Sequence, residues 1–273
     1  MELFSSWTGS DFLQFYIMLL VLSAVAGWWI PAQLRPAGRT SQSLDAEDLA
    51  MLGGGRERLA DSLLADLFVR GGLAAVGAGR LEVVRPGLPA SPAGKALLAS
   101  GAPISAGAAS RAVGLHAERV TARLRRSGLL LRPDEYAQLR WLSIAPFCVL
   151  LLIGLYRQRM GSALGEATGF LVILMVLTAV LALLRFLKVD RRTREGIAAV
   201  QGFRARAARL SAAPRPEEVA TAVALFGTGV LVGTPWEPVH ALRRQSGGGD
   251  GGSAESSDGD GGGDGGGCGG CGG

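Results

Sequence analysis

Three long apolar stretches dominate the hydropathy pattern of the chain. Residues 12–30 hold no charged side chain, and a helix of that length, rising about 1.5 Å per residue, crosses a hydrocarbon core of about 30 Å. The shorter run 141–156 is flanked by Arg140 and Arg157, whose side chains can reach the interface and lengthen the usable span. Residues 167–187 form the third run. The pattern predicts three transmembrane helices, the last two joined as a hairpin.

The first apolar run has a competing interpretation as a cleaved signal peptide. Ala24-Val25-Ala26 has the spacing of a cleavage site. The residues that precede the run include no Lys or Arg, whereas a signal peptide opens on positive charge. We therefore predict that residues 1–30 contain a retained N-terminal span.

Basic residues near the ends of the spans predict the orientation, because cytoplasmic flanks are enriched in Lys and Arg. The N-terminal segment has none, whereas five follow or close the third span: Arg185, Lys188, Arg191, Arg192 and Arg194. This places the N-terminus outside, residues 31–140 inside and the chain after residue 187 inside. Arg157 and Arg159 lie in the predicted outer loop, and these two basic residues argue against this orientation. The Ala-, Gly-, Leu- and Arg-rich composition suggests a bacterial source, hence a multi-pass protein of the inner membrane.

The segment 31–140 has the pattern of a small cytoplasmic domain. Leucines at 44, 49 and 52 predict a short helix that ends at the glycines 53–55, and the leucine spacing of 56–70 predicts a second helix. Two apolar stretches then flank a turn at 77–79, which is typical of a β-hairpin. Helix, turn, helix and hairpin predict a winged-helix-like α+β domain.

The domain also carries an excess of positive charge. It holds fifteen Lys and Arg against ten acids, and its dense basic group is Arg119, Arg123, Arg125 and Arg126. Because phosphate neutralisation supplies most non-specific DNA affinity, a membrane-tethered nucleic-acid-binding regulator is an alternative function. Nucleic acid is the less favoured partner, since positive-inside bias and anionic lipid headgroups also explain the excess. Residues 116–133 resemble residues 56–73 in their leucine spacing and basic end, which predicts two related helical halves.

Residues 188–246 contain two further apolar patterns. Over 191–210 the apolar residues form one stripe among arginines, which predicts an amphipathic helix, either on the inner membrane surface or against the domain. The run 219–233 is broken by glycines and reaches only about 21 Å as a helix. We favour a buried or interfacial helix there over a fourth span. A fourth span would place the C-terminus outside.

The last segment, 247–273, differs from the rest in composition. Sixteen of its residues are Gly, five are acidic and none is Lys or Arg. With no apolar surface to offset the entropy of ordering, the segment is predicted to be disordered. Cys268 and Cys271 then lie on a flexible acidic tether. The third cysteine, Cys148, sits in the second apolar run and is predicted to be a small packing residue.

The C-x-x-C pair at Cys268 and Cys271 leaves three interpretations open. A redox pair needs a helix N-terminus to lower a thiol pKa, and glycine neighbours offer none. Two thiolates make half of a zinc site but suit Cu(I), so a thiophilic metal is the second interpretation. In the third, the pair is the substrate of an enzyme that oxidises or cyclises cysteine, because glycine permits close approach to the backbone.

The stretch AEDLAMLGGGRERLADSLLADLFVRGGL, residues 46–73, contains a Gly-Gly-x-x-Arg-like element, which is either Gly54 and Gly55 with Arg56 or, in a second alignment, Gly53 and Gly54 with Glu57-Arg58. With the order of the spans, VALFG at 223–227 and the Gly/Cys-rich C-terminus, it resembles an uncharacterised family of bacterial multi-pass membrane proteins. Where the family has Ala after the arginine, this chain has Leu59. The family has no assigned activity. Its members occur beside multinuclear non-haem iron oxygenases, so the resemblance implies a partner enzyme that modifies cysteines.

No catalytic constellation stands out elsewhere in the sequence. His116 and His240 are far apart and have no Cys or carboxylate at ligand spacing. The glycines 53–55 lack the Lys-Ser/Thr of a P-loop. The sequence therefore predicts a non-enzymatic, mainly α membrane protein with no cofactor other than a metal at the tail. Its expected partners are the lipid bilayer, a cysteine-modifying enzyme and, in a homo-oligomer, copies of itself.

Overall fold

The computed structural model describes residues 9–39, 43–77, 79–101, 103–163 and 169–246. Over these ranges the chain is mostly helical, with one small sheet. The helices are α1 Gly9–Leu34, α2 Ala46–Val69, α3 Pro92–Leu98, α4 Ala106–Ala112, α5 Gly114–Arg126, α6 Pro133–Ala163, α7 Gly169–Leu187, α8 Arg194–Arg206, α9 Val219–Phe226 and α10 Glu237–Gln245. The strands are β1 Leu73–Ala75 and β2 Leu81–Val83, and short 3-10 turns lie at Ala208–Ser211, Pro216–Glu218 and Thr228–Leu231.

Three of the described helices, α1, α6 and α7, are long and apolar enough to cross a membrane. The prediction of three candidate spans is therefore confirmed. Helix α6 is longer than the apolar run 141–156 that it contains, because the polar residues on both sides also adopt helical geometry. Pro146 lies inside α6 and does not end it, which membrane helices tolerate when neighbouring helices shield the freed carbonyl.

The three spans pack against one another as a bundle. Tyr16 of α1 is fully buried at the centre, and its hydroxyl oxygen lies 3.2 Å from the hydroxyl oxygen of Thr178 in α7. A buried phenol needs such a partner, since an unpaired polar group is costly in an apolar interior. Close packing depends on Gly154 of α6, where an added Cβ would lie 2.9 Å from the Tyr16 ring.

Cys148 is not a packing residue of the bundle, so that prediction was wrong. Its side chain is exposed on the outer face of α6, while its neighbour Phe147 is buried. Successive residues of a helix point about 100° apart, so the two side chains cannot both face the other spans. An uninterrupted apolar run carries no information on which of its faces is the packed one.

Helix α2 is the centre of the remaining part of the chain. It contacts α3, α4, α5, α8, α9 and α10, and most of its length is buried. The largest buried cluster joins residues 49–117 to residues 219–242. The stretches on either side of the α6–α7 hairpin therefore share one hydrophobic core. We call the helices and strands that surround this core the domain.

The glycines 53–55 interrupt α2 as the sequence predicts. Gly54 and Gly55 both leave helical geometry, and Gly55 has a φ of +70°, a value that glycine adopts without strain. The chain changes direction there, and residues on both sides of the break enter the same hydrophobic core.

The predicted hairpin is confirmed as β1 and β2, which pair antiparallel with Leu73 opposite Val83. Gly77 and Gly79 in the turn have positive φ, as tight hairpin turns require. Leu81 also makes an isolated bridge with Ile104. The winged-helix outline is not confirmed, because the main partner of α2 is α9, from the far end of the described chain.

The run 219–233 forms α9 and a 3-10 turn, and not a long helix. The eight residues of α9 span only about 12 Å, and its apolar side chains are buried against α2. Helix α8 also contacts α2 and α9, and Val200 on its apolar stripe is fully buried. Helices α8 and α9 therefore both belong to the domain.

Candidate functional site at the base of the C-terminal tail

The predicted site residues, Cys268 and Cys271, lie outside the described residues. The described chain ends at Ser246, directly after α10. The structure therefore defines the surface at which the cysteine-bearing segment begins. That surface consists of α10 and the parts of α2 and of the 3-10 turn Thr228–Leu231 that it covers.

Helix α10 is anchored to the domain by apolar and charged contacts. Val239 and Leu242 enter the main core. Arg243, only 9% exposed, extends to α2, where its Nη2 donates to Glu57 at 3.0 Å and its Nε lies 3.2 Å from a carboxylate oxygen of Asp61. One arginine thus joins the last described helix to the central helix.

Asp61 explains why an arginine is needed at this position. Its side chain is 2% exposed, and an ionised carboxylate in such an environment is stable only when it is paired and hydrogen-bonded. Arg243 supplies an opposite charge with donors in a fixed planar array. The ion pair therefore links the position of α10 to the burial of Asp61.

The C-terminal carbonyls of α9 are bound by two further arginines. Arg58 of α2 donates Nη1 to the Val223 carbonyl at 3.4 Å, and Arg204 of α8 donates Nε to the Leu225 carbonyl at 2.9 Å. The last carbonyls of a helix lack partners within the helix and carry partial negative charge. Arg204 supplies the Leu225 carbonyl with a donor, and Arg58 adds positive charge beside the Val223 carbonyl, which also accepts from the Gly227 N–H at 2.9 Å.

The Gly-Gly-x-x-Arg element of α2 is accounted for by these contacts. An added Cβ at Gly53 would lie 2.8 Å from the carbonyl oxygen of Ala224, so only glycine lets α2 and α9 approach this closely. Gly54 and Gly55 form the break in α2, and Arg58 caps α9. Each role is a packing role within the domain.

The two histidines are well separated and have different partners. His116 Nε2 lies 2.6 Å from a carboxylate oxygen of Glu47, and His240 Nδ1 lies 3.0 Å from the hydroxyl of Thr228. Nothing in the sequence indicates the first pair, because its members are 69 positions apart. Among the described residues, no three His, Cys, Asp or Glu side chains come close enough together to hold a metal ion.

One arginine of the dense basic group of α5 forms an ion pair with α2, and the other three are exposed. Arg123 Nη2 lies 2.5 Å from a carboxylate oxygen of Asp48 in α2, and this hydrogen bond raises the pKa of the guanidinium above its ordinary value. Arg119, Arg125 and Arg126 are exposed. Part of the group therefore stabilises the packing of α5 on α2, and three arginines face solvent.

No protein-family model, curated protein or solved structure matches this chain. The resemblance of residues 46–73 to a bacterial membrane-protein family therefore stays a prediction. The function has to be argued from the geometry of the domain, the spans and the end of α10.

Proposed function

We propose that the protein is a non-enzymatic, membrane-anchored interaction protein that presents Cys268 and Cys271 to a partner. The observation that carries this proposal is the attachment of α10 to α2 through Arg243, immediately before the segment that contains the cysteines. A fixed starting point next to a glycine-rich end suits a substrate offered to an enzyme that modifies cysteine. It equally suits capture of a thiophilic metal, Cu(I) or Zn, by two thiolates.

We further propose that the cysteines and the domain lie on the same, cytoplasmic side of a bacterial inner membrane, with the N-terminus outside. The placement of the cysteines and the domain on the same side is supported by α9, which is short and buried in the domain. No described helix after α7 therefore leads back across the membrane. The placement of this side in the cytoplasm is supported by the basic residues next to the domain-side ends of the spans.

The mass of the C-terminal segment tests the proposed role directly. In protein isolated from its native host, we expect the Gly/Cys-rich peptide to carry a covalent change at Cys268 or Cys271, or a metal ion that a chelator removes. Denaturing mass spectrometry retains the former, and native mass spectrometry detects the latter. A Cys268→Ser/Cys271→Ser variant is the control and should show neither. Two free, metal-free cysteines in the wild-type peptide would contradict the proposal.

Thiol labelling in cells tests the proposed sidedness. In a Cys148→Ser background, an impermeant maleimide should label Cys268 and Cys271 only after the inner membrane is permeabilised. A Leu115→Cys reporter in a Cys148→Ser/Cys268→Ser/Cys271→Ser background marks the domain, because Leu115 is 75% exposed on it. The reporter should behave in the same way as the tail cysteines. Labelling of the tail without labelling of the reporter would show that the two lie on opposite sides.

The alternative function is a membrane-tethered nucleic-acid-binding regulator. It is supported by the exposed arginines of α5, Arg119, Arg125 and Arg126, which could contact phosphates. The packing of α2 against α9 does not support a winged-helix-like domain. The regulator therefore lacks the fold that would explain binding to DNA. Gel shifts with the full-length protein at two salt concentrations separate the two functions, since a regulator must retain DNA.

A further inference from the structure

Cationic residues gather at the end of the bundle that adjoins the domain. The segments 35–39, 132–140 and 185–195 contain nine of them: Arg35, Arg39, Arg132, Arg140, Arg185, Lys188, Arg191, Arg192 and Arg194. The same segments contain four acids: Asp134, Glu135, Asp190 and Glu195. At the other end of the spans, Arg157 and Arg159 are balanced in sequence by Asp11 and Glu166. We call the charged end the collar.

Several arginines of the collar are held in place by backbone carbonyls. Arg185 donates Nε to the Gly27 carbonyl of α1 at 2.8 Å, and Arg140 donates Nε to the Phe186 carbonyl of α7 at 3.0 Å. Arg194 donates Nη2 to carbonyls at the end of α1. These contacts fix the guanidinium groups but leave their charge in place, because a carbonyl carries no net charge.

Carboxylates neutralise little of the collar. Within the described ranges, its ion pair is Arg192 with Asp190, whose Nη2 and Oδ2 atoms are 2.9 Å apart. Glu135 accepts a hydrogen bond from the backbone N–H of Arg132. Arg140 and Arg191 instead lie over aromatic rings, 3.4 Å from the Phe186 centroid and 5.2 Å from the Tyr136 centroid, and these rings carry no net charge.

Arg35 has a buried donor that the protein leaves without an acceptor. Its Nε is buried and makes no hydrogen bond in the described part of the chain. Burial lowers the pKa of its guanidinium below the ordinary value; Asp190 opposes this effect, and Arg192 and Arg194 add to it. Buried donors in native proteins nearly always have a partner, and an anion would supply both the acceptor and the opposite charge.

Exposed tryptophans show where the collar lies in relation to a bilayer. Trp28, Trp29 and Trp141 are all exposed on the spans, and the Arg185 guanidinium lies 5.6 Å from the Trp28 ring. Tryptophan is enriched where the hydrocarbon core meets the headgroups. The collar is therefore at the depth of lipid phosphates.

We propose that the collar binds the phosphate group of an anionic phospholipid, with Arg35 and Arg194 as donors and Arg192 beside them. The proposal commits to lipid and not to free phosphate, because the tryptophans hold the collar at the headgroup level. It requires only that α1, α6 and α7 lie in a membrane. It is independent of what the C-terminal cysteines do.

Thermal unfolding of the full-length protein in a neutral detergent tests the proposal. Added phosphatidylglycerol should raise the Tm, whereas phosphatidylcholine with the same acyl chains and inorganic phosphate should not. Arg35→Met is the informative variant, because it removes a donor that binds no protein acceptor. Its Tm without lipid should match or exceed that of wild type, and its rise with phosphatidylglycerol should be smaller. By native mass spectrometry its affinity for phosphatidylglycerol should fall roughly fivefold or more, as expected for one basic side chain near an anionic lipid.

Arg159→Met is the matched control, since it removes one arginine from the opposite end of the spans and should keep the full rise in Tm. Any one of several results would overturn the proposal. The first two are a rise in Tm with phosphatidylcholine as large as that with phosphatidylglycerol, and a rise with inorganic phosphate that depends on Arg35. The others are an Arg35→Met variant whose Tm rises with phosphatidylglycerol as much as that of wild type, and an Arg159→Met variant that loses as much of this rise as Arg35→Met. A lower Tm of Arg35→Met without lipid, and a normal rise with it, would instead assign Arg35 a structural role and would also overturn the proposal.

Discussion

Replacement of Arg243 by alanine should lower the free energy of unfolding of the domain by about 3–5 kcal/mol, the usual cost of breaking a buried ion pair from one side. The reason is Asp61, whose carboxylate is buried and lies 3.2 Å from the Nε of Arg243. The substitution removes that opposite charge and also loosens α10, because the bond to Glu57 is lost. Urea titration with pulse proteolysis of the full-length protein in detergent measures the change.

Arg244→Ala is the matched control for this prediction. Arg244 is the next residue of α10 but is exposed, so its removal should change the free energy of unfolding by less than about 0.5 kcal/mol. Asp61→Asn combined with Arg243→Met should cost less than Arg243→Ala alone, because neither charge then remains buried. Equal stability of Arg243→Ala and Arg244→Ala would show that the ion pair does not hold α10.

Gly53→Ala should also destabilise the domain, by about 2 kcal/mol, within the range found for overpacked cores. In most helices this change stabilises, since alanine has the higher helix propensity. Here the added Cβ would lie 2.8 Å from the Ala224 carbonyl oxygen, a contact with backbone that no side-chain rotation relieves. The sign of the effect therefore reports whether α2 and α9 are in contact.

The control for Gly53 is Gly202→Ala in α8. At Gly202 an added Cβ would come no closer than 3.9 Å to the end of the Arg206 side chain, so the ordinary preference should apply. We expect a gain of about 0.5–1 kcal/mol. The same pulse-proteolysis measurement compares the two variants, and stabilisation by both would contradict the close packing of α2 on α9.

Features that depend on neighbouring residues could be predicted from the sequence. The three candidate spans follow from uninterrupted apolar length. The break at Gly54 and Gly55 and the hairpin turn follow from the conformational freedom of glycine. In each case the determining residues are adjacent in the chain, so the pattern alone carries the information.

Features that depend on pairing between distant residues could not be predicted. Arg243 is one basic residue in a short helix, and nothing in its surroundings indicates Asp61 as its partner. The same holds for Glu47 and His116. The exposure of Cys148 was missed for a related reason, since the face of a span that contacts other helices is decided by those helices and not by its own hydropathy.

The division of the core between two distant stretches has a consequence for biosynthesis. Residues 49–117 need residues 219–242 to complete their hydrophobic cluster, and both spans of the hairpin lie between them. At roughly 5–20 residues per second, the ribosome needs on the order of ten seconds to add the stretch from 131 to 219. During this time α2 has emerged from the ribosome without α9 or α10. Synthesis of α6 and α7 thus precedes closure of the domain.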